Sequence, residues 1–335
     1  GWREISNFPE SYTAFERAVA WLSGPAPFLG YAILLFFLIS GFCIHYPFAE
    51  KSHPNWKAYI LRRFLRIYPP YLVAVGLTAA ITYFCHLVWS DQTWDPGRIW
   101  RVLSLTQNYP PDSGQFLSNP SLWTIPLEME FYLLYPVAFI FFSKLRSPFL
   151  WVFAGGLSIW GVYLSNQGFA WTSFTALFFW PVWLLGAWAA CLYRKNKLSN
   201  LSYVLIIPPL LLSLGLALAS LLQNWDAWVQ YLLWTCFYLC LLFLTLSLRN
   251  NSSNSVLRAL YRILSWLGKI SFSVYLVHFP LFKLLGYLHV STFGGKPENF
   301  LVSLGYLFAT CILGWLFYLT IEQPLHRWSR MRITL

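Results

Sequence analysis

Apolar segments of about twenty residues recur along the whole chain and constrain its fold more than any other feature. A helix of about twenty apolar residues spans the hydrocarbon core of a bilayer. Only 10% of the 335 residues are charged, whereas an average soluble domain carries about 25%. We therefore predict an all-α, polytopic membrane bundle with nine spans, at residues 27–48, 69–89, 122–143, 148–165, 172–193, 201–222, 227–248, 270–290 and 299–321.

The distribution of basic residues predicts which loops face the cytoplasm. The formal net charge of +11 would suggest nucleic-acid binding in a soluble protein. Here most of the 23 lysine and arginine residues fall in short loops on one side of the predicted spans, and the positive-inside rule assigns that side to the cytoplasm. We expect the partner to be a lipid bilayer and not nucleic acid, in a cytoplasmic (inner) membrane, with the C-terminus inside.

The number of spans has a consequence for the N-terminus. Nine spans and a cytoplasmic C-terminus place Gly1 on the outer side, although residues 1–26 contain no export signal. We expect these residues to form an external loop with a short amphipathic helix near 14–22, followed by one membrane domain (27–321) and a cytoplasmic tail (322–335). A further spanning helix upstream of Gly1 would return the N-terminus to the cytoplasm, so we expect a ten-span parent protein.

Two carboxylates, Glu128 and Glu130, interrupt the third predicted span. An ionised side chain in a bilayer is costly and normally faces a bundle interior or a wet cavity. Two residues advance a helix by about 200°, so the two carboxylates project about 160° apart and do not form a catalytic pair. Glu128 shares one helical stripe with Tyr132 and Tyr135, and Thr124 is a candidate N-cap. A structural carboxylate satisfied by neighbouring side chains remains the alternative.

A basic pair precedes the second predicted span. Arg63 and Arg66 are three residues apart, so on a helix they share one face at the cytoplasmic rim. Guanidinium groups bind phosphate oxygens in a bidentate manner. The spacing alone leaves two interpretations open: a site for a phosphate-bearing ligand, or an anchor that contacts lipid headgroups.

A second polar stripe lies in the eighth predicted span. Ser271, Tyr275 and His278 follow the spacing i, i+4, i+7 and therefore share one helix face. Histidine can act as a general base or a proton shuttle, but interhelical hydrogen bonds explain such residues equally well. The sequence contains no metal-ligand cluster, no Gly-x-Ser-x-Gly and no phosphate-binding loop, so we expect no metal and no hydrolase of the soluble type.

Six segments, taken in chain order, resemble the acyltransferase-3 family of integral-membrane O-acyltransferases. Each segment alone is a weak indication of the family, but six segments in the family's order over nearly the whole chain are a specific one. The segments are FFLISGFCI (36–44), RRFLRIYP (62–69), LWTIPLEMEFYLLYP (122–136), FFWPVWLLGAWA (178–189), ISFSVYLVHFP (270–280) and IEQP (321–324).

The resemblance implies roles for two of the polar motifs. The family's Arg-x-x-Arg is similar to Arg63 and Arg66 and would engage an acyl-CoA donor, commonly acetyl-CoA, at the cytoplasmic face. Its Ser-x-x-x-Tyr-Leu-x-His is similar to Ser271, Tyr275 and His278, which become catalytic candidates.

The resemblance also separates the two carboxylates. The family's Trp-Ser-Leu-x-x-Glu-x-x-Phe-Tyr is similar to the segment from Trp123 to Tyr132, with Thr124 and Ile125 in place of Ser and Leu. This register selects Glu128 as the catalytic candidate, and we expect Trp123 and Tyr132 to contact the substrate. The family's first helix carries an essential histidine about eleven positions after a basic residue; this chain has no match for it, and we expect it upstream of Gly1.

The sequence thus predicts an O-acyltransferase that moves an acyl group, commonly acetyl, from cytoplasmic acyl-CoA to a hydroxyl of an external carbohydrate or glycolipid. The acceptor stays open among O-antigen, exopolysaccharide, peptidoglycan, macrolide and modified lipid. A proton-coupled transporter or lipid flippase is the rival hypothesis, because an intramembrane carboxylate and histidine could form a proton path. A membrane scaffold is a third, but it leaves a buried Glu128 unexplained.

Overall fold

The computed structural model describes residues 13–15, 30–50, 54–111, 119–142, 148–198, 202–248, 255–295, 297 and 300–332. Within these ranges the regular structure is entirely helical, as predicted. The helices are α1 (Ala32–His45), α2 (Trp56–Trp89), α3 (Ile99–Leu103), α4 (Thr124–Ile140), α5 (Pro148–Asn166), α6 (Ala176–Arg194), α7 (Tyr203–Leu222), α8 (Ala227–Leu248), α9 (Ser255–Phe293), α10 (Phe300–Phe317) and α11 (Gln323–Arg332). The predicted external loop and its amphipathic helix lie outside the described residues, except for 13–15.

Seven helical segments within the described ranges are long and apolar enough to cross a membrane. They involve α2 and each of α5 to α10. The two other predicted spans contain α1, with 14 residues, and α4, with 17 residues, both of which are apolar but shorter. The length of the helices therefore supports an integral membrane protein, and the count of nine spans stays a prediction.

Two helices extend well beyond the spans predicted for them. α2 begins at Trp56 and not at residue 69, so Arg63 and Arg66 lie within a helix as their spacing suggested. α9 begins at Ser255 and not at residue 270. In both cases the extension carries charged residues that favour helix by propensity but contribute nothing to an apolar run, which is why hydropathy alone missed it. The segment expected as a tail continues as helix α11.

The chain divides into two compact units that interleave in sequence. Unit 1 contains Lys57–Met129 and Ile263–Leu335, and unit 2 contains Phe28–Trp56 and Glu130–Arg262. Helix α4 therefore contributes its first turns to unit 1 and the remainder to unit 2. The chain thus carries Glu128 in one unit and Glu130 in the other.

Unit 2 is built around the close packing of α1 on α6. A Cβ atom added at Gly41 would collide with the carbonyl oxygen of Trp183, and one added at Gly186 would collide with that of Leu38. Small residues at facing positions let two membrane helices approach until their backbones touch. This contact fixes the C-terminal turns of both helices beside each other.

In unit 1, helix α10 packs closely on α9. A Cβ added at Gly314 would meet the side chain of Val274 at 2.5 Å, so only glycine fits this crossing. A π-helical turn, Tyr318–Glu322, then joins α10 to α11. Such turns change which face of a helix a side chain occupies, and here the turn ends at a buried carboxylate.

Candidate functional site

The centre of the polar cluster in unit 1 is the hydroxyl of Tyr275 on α9. Its oxygen lies 2.8 Å from Thr124 Oγ1 and 2.8 Å from the carbonyl oxygen of Ser121. Thr124 is the first residue of α4, and its hydroxyl also lies 3.2 Å from the Ser121 carbonyl. We predicted Thr124 as an N-cap; in the structure it is the first residue of α4, and its side chain joins α4 to α9.

Glu128 lies one helical turn after Thr124 and is buried, with 1% of its surface exposed. Its carboxylate acts electrostatically on the Tyr275 hydroxyl. Electrostatic interactions are stronger inside a protein than in water because the effective dielectric constant is lower. The structure therefore places two of the predicted catalytic residues, Glu128 and Tyr275, close enough for the charge of one to act on the hydroxyl of the other.

His278 lies one turn further along α9. Its Nδ1 atom is 2.8 Å from the carbonyl oxygen of Tyr275. A carbonyl can only accept a hydrogen bond, so Nδ1 carries a proton, and in the neutral form of the ring Nε2 presents a lone pair as a base. The ring packs against Phe279 and Phe282, with centroids 4.4 and 6.4 Å away. These contacts hold an imidazole in the tautomer that proton transfer through Nε2 requires.

A contact that the sequence analysis missed connects the loop before α4 to α9. Pro280 has no N–H, so the carbonyl of Leu276, four residues earlier, lacks its helical donor. The side-chain amide of Asn119 donates to that carbonyl at 2.8 Å. Ser121 Oγ in turn donates to Asn119 Oδ1 at 2.5 Å. A proline within an apolar span was the available signal, because a freed carbonyl in a membrane needs another partner.

The short 3₁₀ turn Pro120–Trp123 is held by side-chain amides as well. Gln107 donates to the carbonyl of Leu122 at 3.2 Å, and Asn108 donates to that of Trp123 at 2.7 Å. Both amide side chains are fully buried. Because each carbonyl is fixed by a donor, the entry to α4 is rigid and Glu128 has a defined position one turn later.

The predicted donor-binding arginines lie at one end of the same unit. Arg63 packs over the Tyr59 ring at 5.8 Å, whereas the side chain of Arg66 is exposed. The charge of Arg66 acts favourably on Glu322, a buried carboxylate that accepts a hydrogen bond from Ser273 Oγ at 2.5 Å.

Ser271 does not join the cluster that the stripe predicted. Its hydroxyl donates to the carbonyl of Gly268 on its own helix at 2.9 Å, and the residue is exposed. Ser273, two residues later, is fully buried and bonds Glu322 instead. The helical period of 3.6 residues does not show which of two serines faces a neighbouring helix. The catalytic role of Ser271 stays a prediction, and Ser273 is the serine that the structure buries.

The other carboxylate, Glu130, has a structural partner within unit 2. Its Oε2 atom accepts a hydrogen bond from the backbone N–H of Ala176 at 2.6 Å, at the first residue of α6. The first N–H groups of a helix lack internal acceptors, and a carboxylate there also meets the positive end of the helix dipole. Tyr132, a predicted substrate contact, is buried in this unit, whereas Trp123 is half-buried in unit 1.

A further polar feature of unit 1 is an ion pair between Lys283 and Asp91. Lys283 on α9 donates to the carboxylate of Asp91, just after α2, and Tyr287 donates to the same group at 3.1 Å. Burial alone would raise the pKa of Asp91, but the hydrogen bonds from Lys283, Thr93 and Tyr287 and the charge of Lys283 together hold that pKa below its usual value. A lysine within an apolar span is thereby neutralised.

Within the described ranges, no group of three or more His, Cys, Asp or Glu side chains could hold a metal ion. The described residues of the cluster offer the chemistry of their own titratable groups. A carboxylate, a phenol and an imidazole with an available lone pair are the components of a proton relay.

Comparison with known proteins decides the family. The model of a family described as "Acyltransferase domain" matches residues 6–319, which is nearly the whole chain. The chain belongs to the acyltransferase-3 family. Family membership confirms the resemblance drawn from the six sequence segments and agrees with the helices of bilayer-spanning length.

One relative of the chain is the acyltransferase MdmB of Streptomyces mycarofaciens. It is 28% identical over 134 residues, a stretch that covers 38% of this chain and 33% of the relative. The match thus spans about a third of the relative's own length. No solved structure matches the chain.

Proposed function

We propose that this protein is a membrane O-acyltransferase that moves an acyl group, in the first instance acetyl, from cytoplasmic acyl-CoA to a hydroxyl of an extracytoplasmic carbohydrate or glycolipid. Membership of the acyltransferase-3 family supports the class of reaction. The distribution of basic residues supports the assignment of the cytoplasmic side.

The observation that carries the proposal is the cluster in unit 1 of a buried carboxylate, Glu128, with two half-buried side chains, Tyr275 and His278. Transfer of an acyl group to a hydroxyl requires that the hydroxyl lose a proton and that the leaving thiolate gain one. His278 presents Nε2 to such a proton, and the charge of Glu128 acts on the neighbouring phenol of Tyr275. The Tyr275 hydroxyl contacts Thr124 and donates to the Ser121 carbonyl, so the orientation of the phenol is fixed. The essential histidine expected from the family would complete this relay.

The basic end of α2 suits the donor. Arg63 and Arg66 offer two guanidinium groups on neighbouring turns, and guanidinium groups bind phosphate oxygens with two parallel hydrogen bonds. Glu322, which accepts a hydrogen bond from Ser273, would orient the Arg66 side chain by electrostatic attraction. A bound phosphate would then replace Glu322 as the partner of Arg66. Trp123, which is half-buried in unit 1, offers aromatic surface, and such surface suits the apolar faces of a sugar ring. The role of Tyr132 as a substrate contact stays a prediction.

The proposal is tested with full-length protein in liposomes that contain radiolabelled acetyl-CoA and that carry a candidate acceptor outside. We expect label on the external acceptor, and we expect Arg66→Ala to reduce transfer at least tenfold through a higher KM for acetyl-CoA. Lys57→Ala is the matched control, since Lys57 is an exposed basic residue at the beginning of the same helix. Uptake of an intact solute with no transfer of label would contradict the proposal and favour a transporter.

A further inference from the structure

Unit 2 contains a cavity of about 70 Å³ near the ends of α1 and α6. Its lining includes His45, Cys191, the rings of Phe139 and Phe142, and the basic residues Arg194 and Lys195. A water molecule occupies about 30 Å³ in the liquid, and a cavity of about 150 Å³ holds benzene. The cavity therefore has room for a group of two to four carbon atoms but not for a long chain.

The polar side chains of the cavity form a chain of contacts. His45 is buried, with 2% exposed. Its Nε2 atom lies 2.9 Å from Cys191 Sγ, and its Nδ1 atom lies 3.0 Å from the hydroxyl of Tyr135. With the proton on Nδ1 directed to Tyr135, Nε2 accepts from the thiol. This is the order of nucleophile, base and orienting group that activates cysteine and serine nucleophiles.

The packing of unit 2 fixes this geometry. His45 ends α1 and Cys191 lies near the end of α6, and these two helices are held together by the glycine contacts at Gly41 and Gly186. The ring of Tyr135 packs against Trp183, with centroids 5.9 Å apart. A thiol that served only to fill space would need neither a histidine at hydrogen-bond distance nor a cavity beside it.

The basic residues of the cavity fit a phosphate-bearing donor. Lys195 is exposed, and Arg194 forms an ion pair with Glu50 at 3.7 Å while its guanidinium lies 4.6 Å from the centre of the Tyr46 ring. The positive-inside rule places this end of α6 at the cytoplasmic face, where an acyl-CoA donor would arrive.

We propose that Cys191 is a nucleophile that accepts the short acyl group of an acyl thioester, with His45 as its general base. The thiol sulfur attacks the thioester carbonyl carbon while His45 Nε2 takes the thiol proton. The bond from that carbon to the donor sulfur then breaks, and the leaving thiolate takes the proton from His45. The products are an S-acylated Cys191 and the free donor thiol. The proposal rests on the proposed function for the identity of the donor.

The test is to incubate full-length protein with radiolabelled acetyl-CoA in the absence of acceptor and to map the label by mass spectrometry. We expect one hydroxylamine-labile acetyl group on Cys191, at least a tenfold slower appearance of it in His45→Ala, and discharge when acceptor is added. Cys191→Ser should form an oxygen ester, which resists hydroxylamine at neutral pH, where the thioester is cleaved. Cys240→Ala is the matched control, a half-buried cysteine on another apolar helix, and should label as the wild type does.

The outcomes separate this inference from the proposed function. An unlabelled Cys191 in a protein that transfers acetyl to its acceptor overturns the inference and leaves the proposed function standing. Full transfer activity in a folded Cys191→Ala protein likewise shows that no acyl-cysteine lies on the reaction path. An absence of label on both Cys191 and acceptor overturns both.

Discussion

Glu128 and Glu130 lie two residues apart on α4, and each has a different kind of neighbour. Glu128 belongs to unit 1 and acts on the hydroxyl of Tyr275, which itself contacts Thr124. Glu130 belongs to unit 2 and accepts a hydrogen bond from the backbone N–H of Ala176 at the beginning of α6. One carboxylate faces titratable and hydroxyl-bearing side chains, whereas the other faces a fixed backbone donor.

The difference shows that the presence of a carboxylate in a membrane helix does not by itself indicate catalysis. A carboxylate that satisfies the N-terminus of a helix has a sufficient structural reason to be there. A carboxylate beside a phenol, close to an imidazole that presents a lone pair, has partners that exchange protons. We therefore expect substitutions in the two regions to affect different quantities: the rate of transfer for the Glu128 region, and the stability of the fold for the Glu130 region.

The largest effect is expected from His278→Ala. Removing a general base or proton relay typically reduces the rate by a factor of about 100 or more, and the thermal stability of the protein should change little. The assay is transfer of labelled acetyl in liposomes, normalised to folded protein. His289→Ala is the matched control on the same helix, because His289 bonds Tyr306 at 2.8 Å. Equal losses in the two variants would remove His278 from the relay.

Next in size is the effect of Glu130→Ala on stability. The variant leaves the N–H of Ala176 without its carboxylate acceptor, and a buried donor left unsatisfied costs about 1–3 kcal/mol. We expect a lower midpoint of thermal unfolding in detergent, with near-normal transfer per folded molecule. Glu130→Gln retains an acceptor oxygen and should be milder. A stable Glu130→Ala protein that has lost transfer would reverse the roles that we assign to the two carboxylates.

A third test concerns the contact that holds the entry to α4. Asn119→Ala removes the donor to the Leu276 carbonyl, while Pro280→Ala supplies a backbone N–H to the same carbonyl. We expect Asn119→Ala to lower the free energy of unfolding by about 1 kcal/mol more in the wild type than in the Pro280→Ala protein, because in the latter a backbone N–H satisfies the Leu276 carbonyl. A double-mutant cycle measures this difference. Additive costs, measured by unfolding of all four proteins, would show that the amide does not act through the proline-freed carbonyl.

The smallest effect is expected at the Asp91–Lys283 ion pair. Because the pKa of Asp91 is lowered in the folded protein, its contribution to stability is complete above the ordinary carboxyl pKa of about 4 and is lost as the pH falls through the lower folded value. Asp91→Asn should therefore be less stable than the wild type at pH 7, and the difference should narrow below pH ~4. Melting curves at pH 3–7 measure it; a constant difference would contradict the ion pair.

The sequence predicted much of this account because its strongest signals are local. Runs of apolar residues predict the helices, and the i, i+4, i+7 spacing of helix α9 correctly placed Tyr275 and His278 on neighbouring turns. The angular argument also separated Glu128 from Glu130, which have different partners in the structure.

The remainder depends on contacts between distant parts of the chain. The bond of Asn119 to Leu276 spans 157 positions, and that of His45 to Cys191 spans 146. Periodicity describes one helix at a time and carries no information about which residue of another element lies opposite. For the same reason it could not tell Ser271 from Ser273, or recognise that Thr124 bonds a second helix.

The most direct test of the central claim compares Glu128→Gln and Glu130→Gln in one assay of acetyl transfer per folded molecule. The two changes are chemically identical and lie two residues apart, so any general effect of removing a charge from α4 is common to both. We predict a loss of at least about 100-fold for Glu128→Gln and less than about threefold for Glu130→Gln. Equal losses, or a larger loss for Glu130→Gln, would contradict the assignment of Glu128 to the site of transfer.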